Sequence, residues 1–258
     1  MKHPLPLSQW LNPTRPDETC IAWLGTREWQ LGELRHDVVT LMQALHTQPG
    51  TRWALCFENS YLFIVALLAT LHAGKIPVIP GHCRASVLNE QQDLFDGILS
   101  EASLDCAGPQ IVVSAGSAST HGHDITLPPI AADSVIELFT SGSTGQPKKI
   151  IKPVALLDAE AQMLHTRFEQ RLDGCRVVAS VVPQHLYGLT FRIFLPMACG
   201  LPCTRRCSIT PSSSAPCLLS TAMCSSAARH FSSAWTRISP RRRSACFSPQ
   251  AECCRGKR

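Results

Sequence analysis

The sequence contains no long hydrophobic run. Its longest apolar stretch, Tyr61 to Leu71, falls well short of the roughly 20 residues that cross a bilayer, and no apolar segment follows Met1 as a secretory leader would. A cytoplasmic protein without membrane contact is therefore expected. Among the 13 cysteines there is no Cys-x-x-Cys pair. No metal site is expected, and in a reducing compartment the thiols should be free. Neither Gly-x-x-x-x-Gly-Lys-Ser/Thr nor Gly-x-Gly-x-x-Gly occurs, which excludes the P-loop NTPase and dinucleotide fingerprints. The last 55 residues lack Asp altogether, hold a single Gly and show no hydrophobic periodicity, so nothing in them can build a core.

That last absence marks a seam in charge. Residues 1–203 carry 14 Lys and Arg against 18 Asp and Glu, while residues 204–258 carry 10 against 1, together with 12 Ser and 6 of the cysteines. The basic character of the chain thus belongs to its tail. Two segments follow: an ordered part over 1–203 and an unstructured Ser/Arg/Cys-rich tail over 204–258. Arg241-Arg242-Arg243 in that tail reads as solvated charge rather than a nucleic-acid contact. Cys199, Cys203 and Cys207 recur every four residues, but Pro202 interrupts any helix that would align them. His121 and His123 fall in a Gly-containing stretch read as surface loop.

Taken in order, Trp29 to Thr47 places Leu31, Leu34, Val38, Leu41, Met42 and Leu45 at helical spacing. After Pro49-Gly50, RWALCF reads as a buried strand. Asn59 caps an apolar helix running to about His72, Gly74 ends it, and IPVIP is the next strand. This strand, helix, strand succession predicts an α/β fold with a mostly parallel sheet and right-handed crossovers. Residues 84–108 look helical and polar, IVVS at 111–114 looks like a strand, and 115–129 looks like loop. Further on, VIELFT and KIIKP read as strands, Val154 to Arg171 as a helix, and VVASVV at 177–182 as a buried strand ending in PQHLYGLTF.

The most informative stretch is LFTSGSTGQPKKI, Leu138 to Ile150. Gly142 and Gly145 allow backbone turns closed to other residues and bring N–H groups close to an anion. Thr140, Ser141, Ser143 and Thr144 add hydroxyl donors, and Lys148 adds a full charge after Pro147. In outline this is a triphosphate cradle. A loop is expected between a strand ending near Thr140 and one beginning near Lys149.

Residue for residue, the stretch resembles the T-S-G-[ST]-T-G-x-P-K signature of adenylate-forming enzymes, the superfamily of acyl-CoA synthetases, peptide-synthetase adenylation domains and luciferases. Other pieces are similar as well: GEL at 32–34, Asn59-Ser60, and Ala73-Gly74-Lys75-Ile76-Pro77-Val78, all scaffold. PQHLYGLTF resembles the family's second substrate-proximal motif, in which a histidine or aromatic residue after a proline stands near the acyl pocket and a Y-G-L step starts the next helix. That role falls on His185, with Tyr187 and Gly188 giving shape. The resemblance covers about residues 20–203 and implies part of the N-terminal domain of the adenylate-forming ligase fold. It also implies ATP and Mg2+ as cofactors, a carboxylic acid as substrate, and CoA or a carrier-protein phosphopantetheine as thiol acceptor. The implied reaction is attack of the carboxylate on the α-phosphate, then transfer of the acyl group. Binding residues would be Thr140, Ser141, Gly142, Ser143, Thr144, Gly145 and Lys148, with Lys148 and His185 in catalytic roles.

The family's later elements, an aromatic-x-T-E segment, a ribose-binding aspartate and a C-terminal-domain lysine, are not found in the 258 residues. A change of reading frame explains both this and the tail composition. Codons rebuilt from the last base of one residue and the first two of the next are forced in places: Met223 to Cys224 gives Val, Trp235 to Thr236 gives Asp, and Cys253 to Cys254 gives Leu. Around them the tail can be rebuilt as Val-Ser-Ser-Pro-Ala-Phe-Leu-Lys-Arg-Leu, which looks like family sequence. The expectation is an inactive, frameshifted N-terminal fragment whose break lies near Pro202 to Arg206; the alternatives are a non-enzymatic phosphate-binding remnant, or an interaction or nucleic-acid-binding protein with a genuine basic Ser/Arg-rich tail.

Overall fold

The computed structural model describes residues 3–116, 127–141, 147–172 and 175–206. All of them lie in one compact unit, Met1–Thr221. Strand β1 (Cys20–Leu24) pairs antiparallel with β2 (Arg27–Gln30), and the chain passes directly into helix α1 (Leu31–His46). Glu33, the acid of the GEL element, closes a capping box there: its Oε2 accepts the Gln30 backbone N–H at 2.8 Å. β3 (Arg52–Cys56) follows, then α2 (Ser60–His72), whose N-cap Asn59 accepts the backbone N–H groups of Tyr61 and Leu62. Every residue of α2 from Ser60 to Leu71 is buried, so this helix has no solvent face and lies inside the unit. Gly74, at φ 68°, lets the chain reverse after it into β4 (Ile76–Ile79).

Where a polar helix is expected over 84–108, a short helix α3 (Ala85–Glu90) and one 3-10 turn (Gln92–Leu94) form. The segment then yields a buried strand, β5 (Gly97–Ser100), paired parallel with β3. Four residues are too few to show periodicity against polar flanks, which is why the strand hides in the sequence. Gly97 is required there, since a Cβ would lie 2.6 Å from the Trp53 ring. β6 (Gln110–Val112) pairs with β5. β7 (Val135–Ser141) joins β4 in parallel, and β8 (Pro147–Pro153) returns antiparallel to β7. The resulting six-stranded sheet has the order β6-β5-β3-β4-β7-β8 and is parallel except at β8.

Both faces of this sheet are covered, as apolar strands demand. Trp53, Leu55, Ile79, Leu99, Ile136 and Leu138 point into the large core shared with α1 and α2. Their alternates Ala54, Cys56, Val78, Ile98 and Phe139 form a second cluster with Leu88 and Phe95.

Helix α4 (Val154–Leu172) follows β8 without a loop. The stretch VVASVV is not a strand. Only Val177 makes a bridge, parallel to Cys203, while the carbonyls of Val181 and Val182 are taken by Arg192 and by the His185 N–H. Backbone groups bonded in this way cannot join a ladder. The Y-G-L step does start a helix: α5 (Leu186–Gly188) runs through a π-helical stretch (Leu189–Phe194) into α6 (Leu195–Cys199), ended by Gly200 in the left-handed conformation. Finally β9 (Cys203–Thr204) pairs with β1, giving a small sheet of order β2-β1-β9. Pairing therefore continues one residue past the charge seam at 203/204. No described helix is long and apolar enough to cross a membrane.

Candidate functional site

The signature stretch is the β7–β8 hairpin. β7 closes at Ser141 and β8 opens at Pro147, with Ser141 opposite Pro147, Thr140 opposite Lys148 and Phe139 opposite Lys149. The boundaries agree with strands flanking the stretch. Gly142, Ser143, Thr144 and Gly145 lie outside the described residues, as do His121 and His123, and Ser141 is described by its backbone alone. Thr140 and Lys148 are brought together. They share one face of the hairpin, and the Thr140 hydroxyl donates to the Lys148 carbonyl at 3.5 Å.

The three lysines of β8 have different partners. Lys149 lies on the face of Glu137, and its Nζ is 2.6 Å from Glu137 Oε1. Glu137 is 5% exposed and is also held from β3, where Arg52 Nη2 donates to Oε2 at 2.7 Å. Lys152, on the opposite face, donates to Glu160 Oε1 of α4 at 2.6 Å, and both side chains are buried. Lys148 is exposed, and no ion pair engages it among the described residues. Of the three, it is the ammonium at the end of the hairpin that remains available to an anion.

His185 is set apart from this hairpin. It is the N-cap of α5, exposed, with Nδ1 accepting the Tyr187 N–H at 3.4 Å. Its ring stacks on Tyr187 at 5.7 Å, and Tyr187 stacks in turn on Phe191. Gly188 is forced by contact, because a Cβ there would meet the Val182 carbonyl oxygen at 2.0 Å. The fold thus accounts for the H-x-Y-G pattern as a capped, stacked helix start. No described contact links His185 to Thr140 or Lys148.

Two polar clusters are not evident from periodicity. Arg192, 1% exposed within an otherwise apolar helix, donates to Ser60 Oγ (2.5 Å) and to the carbonyls of Val181 (2.8 Å), Glu58 (3.1 Å) and Arg205 (3.3 Å). Ser60 Oγ donates onward to the Thr204 carbonyl at 2.9 Å. Asn59-Ser60 is thereby a junction of α2, the π-helical stretch and β9. The only sequence signal was a lone arginine in LTFRIFLPMA. The second cluster joins Asp37 to the Tyr61 hydroxyl (2.8 Å) and to the Gly116 N–H (3.0 Å). Burial raises the Asp37 carboxyl above its ordinary range, and the hydrogen bonds from Tyr61 and Gly116 partly offset that.

No family model matches the chain. It is 32% identical over 188 residues, 64% of its length, to nonribosomal peptide synthetase 8 of Aspergillus fumigatus, of which it spans 2%. It is 30% identical over 161 residues to nonribosomal peptide synthetase inpA of Emericella nidulans, spanning 11% of that protein and 57% of its own length. Among solved structures, it superposes on O-succinylbenzoate coenzyme A synthetase from Bacillus subtilis in complex with AMP with a TM-score of 0.63 at 17% identity. That match covers 80% of this chain and 57% of the other. The N-terminal subdomain of Klebsiella oxytoca NpsA gives 0.58 at 15% identity, covering 90% and 59%. Signature, fold and sequence likeness agree: the chain is similar in sequence to nonribosomal peptide synthetases and has the α/β fold of the N-terminal subdomain of adenylate-forming enzymes.

Proposed function

We propose that the β7–β8 hairpin and the residues joining it hold the phosphates of ATP for activation of a carboxylic acid to an acyl-adenylate. The observation that carries this reading is the sorting of lysines on β8. Glu137 and Glu160 neutralise Lys149 and Lys152, leaving Lys148 beside Thr140 at the mouth of the signature loop. A carboxylate is a poor nucleophile facing an anionic phosphorus. Catalysis must then come from neutralised charge and in-line positioning rather than covalent chemistry. Lys148 and the hydroxyl and N–H donors of 140–145 would hold the departing β- and γ-phosphates, and Mg2+ would offset the remaining charge. Transfer to CoA or a carrier-protein phosphopantetheine would follow, and His185 would border the acyl pocket. Relatives of both kinds support this range: a B. subtilis coenzyme A synthetase and fungal peptide synthetases.

For the 258-residue chain itself, we infer phosphate binding without the complete reaction, from a polypeptide read out of frame beyond about residue 203. The change of charge and composition at 203/204 supports this. Two measurements test the reading. Titration with pyrophosphate should show binding that Lys148→Met weakens about tenfold or more, the worth of one charge-assisted contact. Carboxylate-dependent exchange of labelled pyrophosphate into ATP should be absent for this chain and present for the frame-corrected one. Equal pyrophosphate affinity in wild type and Lys148→Met overturns the phosphate assignment. Exchange by the 258-residue chain overturns the incomplete-reaction reading.

A further inference from the structure

Strand β8 reads Pro147-Lys148-Lys149-Ile150-Ile151-Lys152-Pro153. Two lysines in tandem followed by two isoleucines leave its register chemically ambiguous. In the observed register Lys148 is opposite Thr140, Lys149 opposite Phe139, Ile150 opposite Leu138, Ile151 opposite Glu137 and Lys152 opposite Ile136. Sliding β8 by one residue would put Lys149 opposite Thr140, Ile150 opposite Phe139, Ile151 opposite Leu138 and Lys152 opposite Glu137. Apolar residues would still meet apolar residues, and Glu137 would still find a lysine. A one-residue slip carries every side chain to the other face of the sheet, so Lys148 and Lys149 would exchange faces. Neither the apolar pattern of the hairpin nor Glu137 separates the two arrangements.

Pro147 and Pro153, which have no N–H, favour the observed register, in which even-numbered N–H groups such as that of Val154 (to the Ser134 carbonyl, 2.9 Å) face β7. A second determinant is on α4. Glu160 is 5% exposed, and its Oε1 takes the Lys152 ammonium at 2.6 Å, while its Oε2 has no hydrogen-bond partner among the described residues. In the slipped register Lys152 turns to the face of Glu137 and leaves Glu160 as a buried carboxylate without its cation. Removing one partner of a buried pair is among the more costly changes a fold can suffer, and fixing register is the best-attested use of such pairs. We propose that Glu160 is a positioning residue: through Lys152 it fixes the register of the β7–β8 hairpin and so selects Lys148, rather than Lys149, as the lysine opposite Thr140. The functional meaning of that selection rests on the phosphate reading of the loop.

Amide hydrogen exchange resolved by residue, on the intact 258-residue chain without ligand, tests the register directly. β8 is the edge strand of its sheet, so only every second N–H faces β7 and exchanges slowly. Glu160→Gln removes the charge and keeps the shape. It should move protection by one residue along β8, exchanging which of the Lys148 and Lys149 amides is slow. Glu137→Gln should leave the wild-type alternation in place, because Lys152 is still required by Glu160. If Glu160→Gln does not fold, Glu160→Met supplies an apolar side chain of similar size and predicts the same shift. Wild-type alternation in a folded Glu160 variant, or a shift in Glu137→Gln, overturns the proposal. Pyrophosphate titration of wild type against Lys148→Met reports separately on the phosphate reading. Equal affinities there remove the functional meaning of the register and leave the exchange pattern to be judged by itself.

Discussion

Replacing Arg192 with methionine removes a guanidinium from a densely bonded buried polar position among the described residues. Methionine fills much of the same volume, so little of the cost is a cavity. The cost is in what the guanidinium held: the carbonyls of Val181, Glu58 and Arg205 and the Ser60 hydroxyl, at 2.5 to 3.3 Å. The Arg205 carbonyl keeps the Ser60 N–H at 2.9 Å, and Ser60 Oγ keeps the Thr204 carbonyl. That leaves the Val181 and Glu58 carbonyls as the groups most exposed to the loss, and because both bonds are only partly buried, water can replace some of it. Hydrogen bonds to a charged donor contribute about 1.5 to 3 kcal/mol each, and an unsatisfied buried acceptor costs about 1 to 3 kcal/mol. A loss of about 3 kcal/mol is expected, a large share of the roughly 5 to 15 kcal/mol available to a domain. Urea unfolding followed by tryptophan fluorescence measures it, Trp10 and Trp53 being fully buried reporters. With the slope unchanged, 3 kcal/mol lowers the midpoint by more than 1 M for a slope near 2 kcal/mol/M. Arg192→Lys, which keeps charge but loses the planar fork, should fall between. A midpoint for Arg192→Met within about 0.2 M of wild type would refute the reasoning.

Gly97→Ala should destabilise by about 1 to 3 kcal/mol, because the added Cβ lies 2.6 Å from Trp53; thermal unfolding of the two proteins checks it, and an unchanged midpoint counts against a rigid Trp53. Asn59→Ala should cost about 1 kcal/mol by uncapping α2, read as a lower urea midpoint, whereas Asn59→Asp should be tolerated. Asp96 accepts the backbone N–H groups of Arg52 (2.8 Å) and Thr51 (2.7 Å), bonds that hold its carboxyl below the usual range. A depressed folded value means stability that is present above about pH 3.9 and lost as pH falls through the folded value. Asp96→Asn should therefore lower the unfolding midpoint at pH 7 and converge on wild type in acid. Asp37 has the opposite sign: its raised folded value means stability lost as pH rises through it, so Asp37→Asn should flatten the pH dependence just above about pH 3.9.

The parts of the fold that were legible in the sequence are those where one physical constraint dominates a long stretch. The α1 apolar spacing, the unbroken apolar run of α2 with Asn59 before it, and Gly74 after it each leave a local trace, and the structure places all three as the trace implies. β5 left none, because four buried residues between polar flanks look the same in a strand as in a helix. VVASVV looks like a strand in composition, yet its carbonyls are bonded elsewhere, and no local pattern reports a long-range hydrogen bond. The candidate site was legible as a signature, but the sorting of its lysines was not. Glu137 and Glu160 are charged residues standing where apolar neighbours set the pattern: Ile136 and Leu138 on β7, Leu157, Ala161 and Leu164 on α4. Buried acids in apolar stripes were the available signal, and their partners lie on other elements, Lys149 and Lys152 on β8 and Arg52 on β3.

The seam in charge at 203/204 and the end of backbone pairing fall at nearly the same place, and the contacts explain why pairing runs slightly further. Thr204 N–H donates to the Val177 carbonyl and Arg205 N–H to the Trp23 carbonyl, while the Arg205 carbonyl receives Ser60 N–H and Arg192. These are backbone groups, and any residue other than proline offers them, whichever frame encoded it. The side chains are less demanding: Thr204 is buried with no partner for its hydroxyl among the described residues, and Arg205 lies over the Trp29 ring at 4.5 Å. A hydroxyl buried without a partner is a cost a selected core position usually avoids, whereas valine would fill the same space without it. Thr204→Val should therefore raise the unfolding midpoint, by an amount consistent with about 1 kcal/mol or more for relieving an unpaired buried hydroxyl. A rise fits a frame change that has already begun by residue 204 and is tolerated because the ladder reads only the backbone. A fall in stability would mean that the threonine at 204 belongs to the structure that β9 was built for, and would count against a frame change before residue 205.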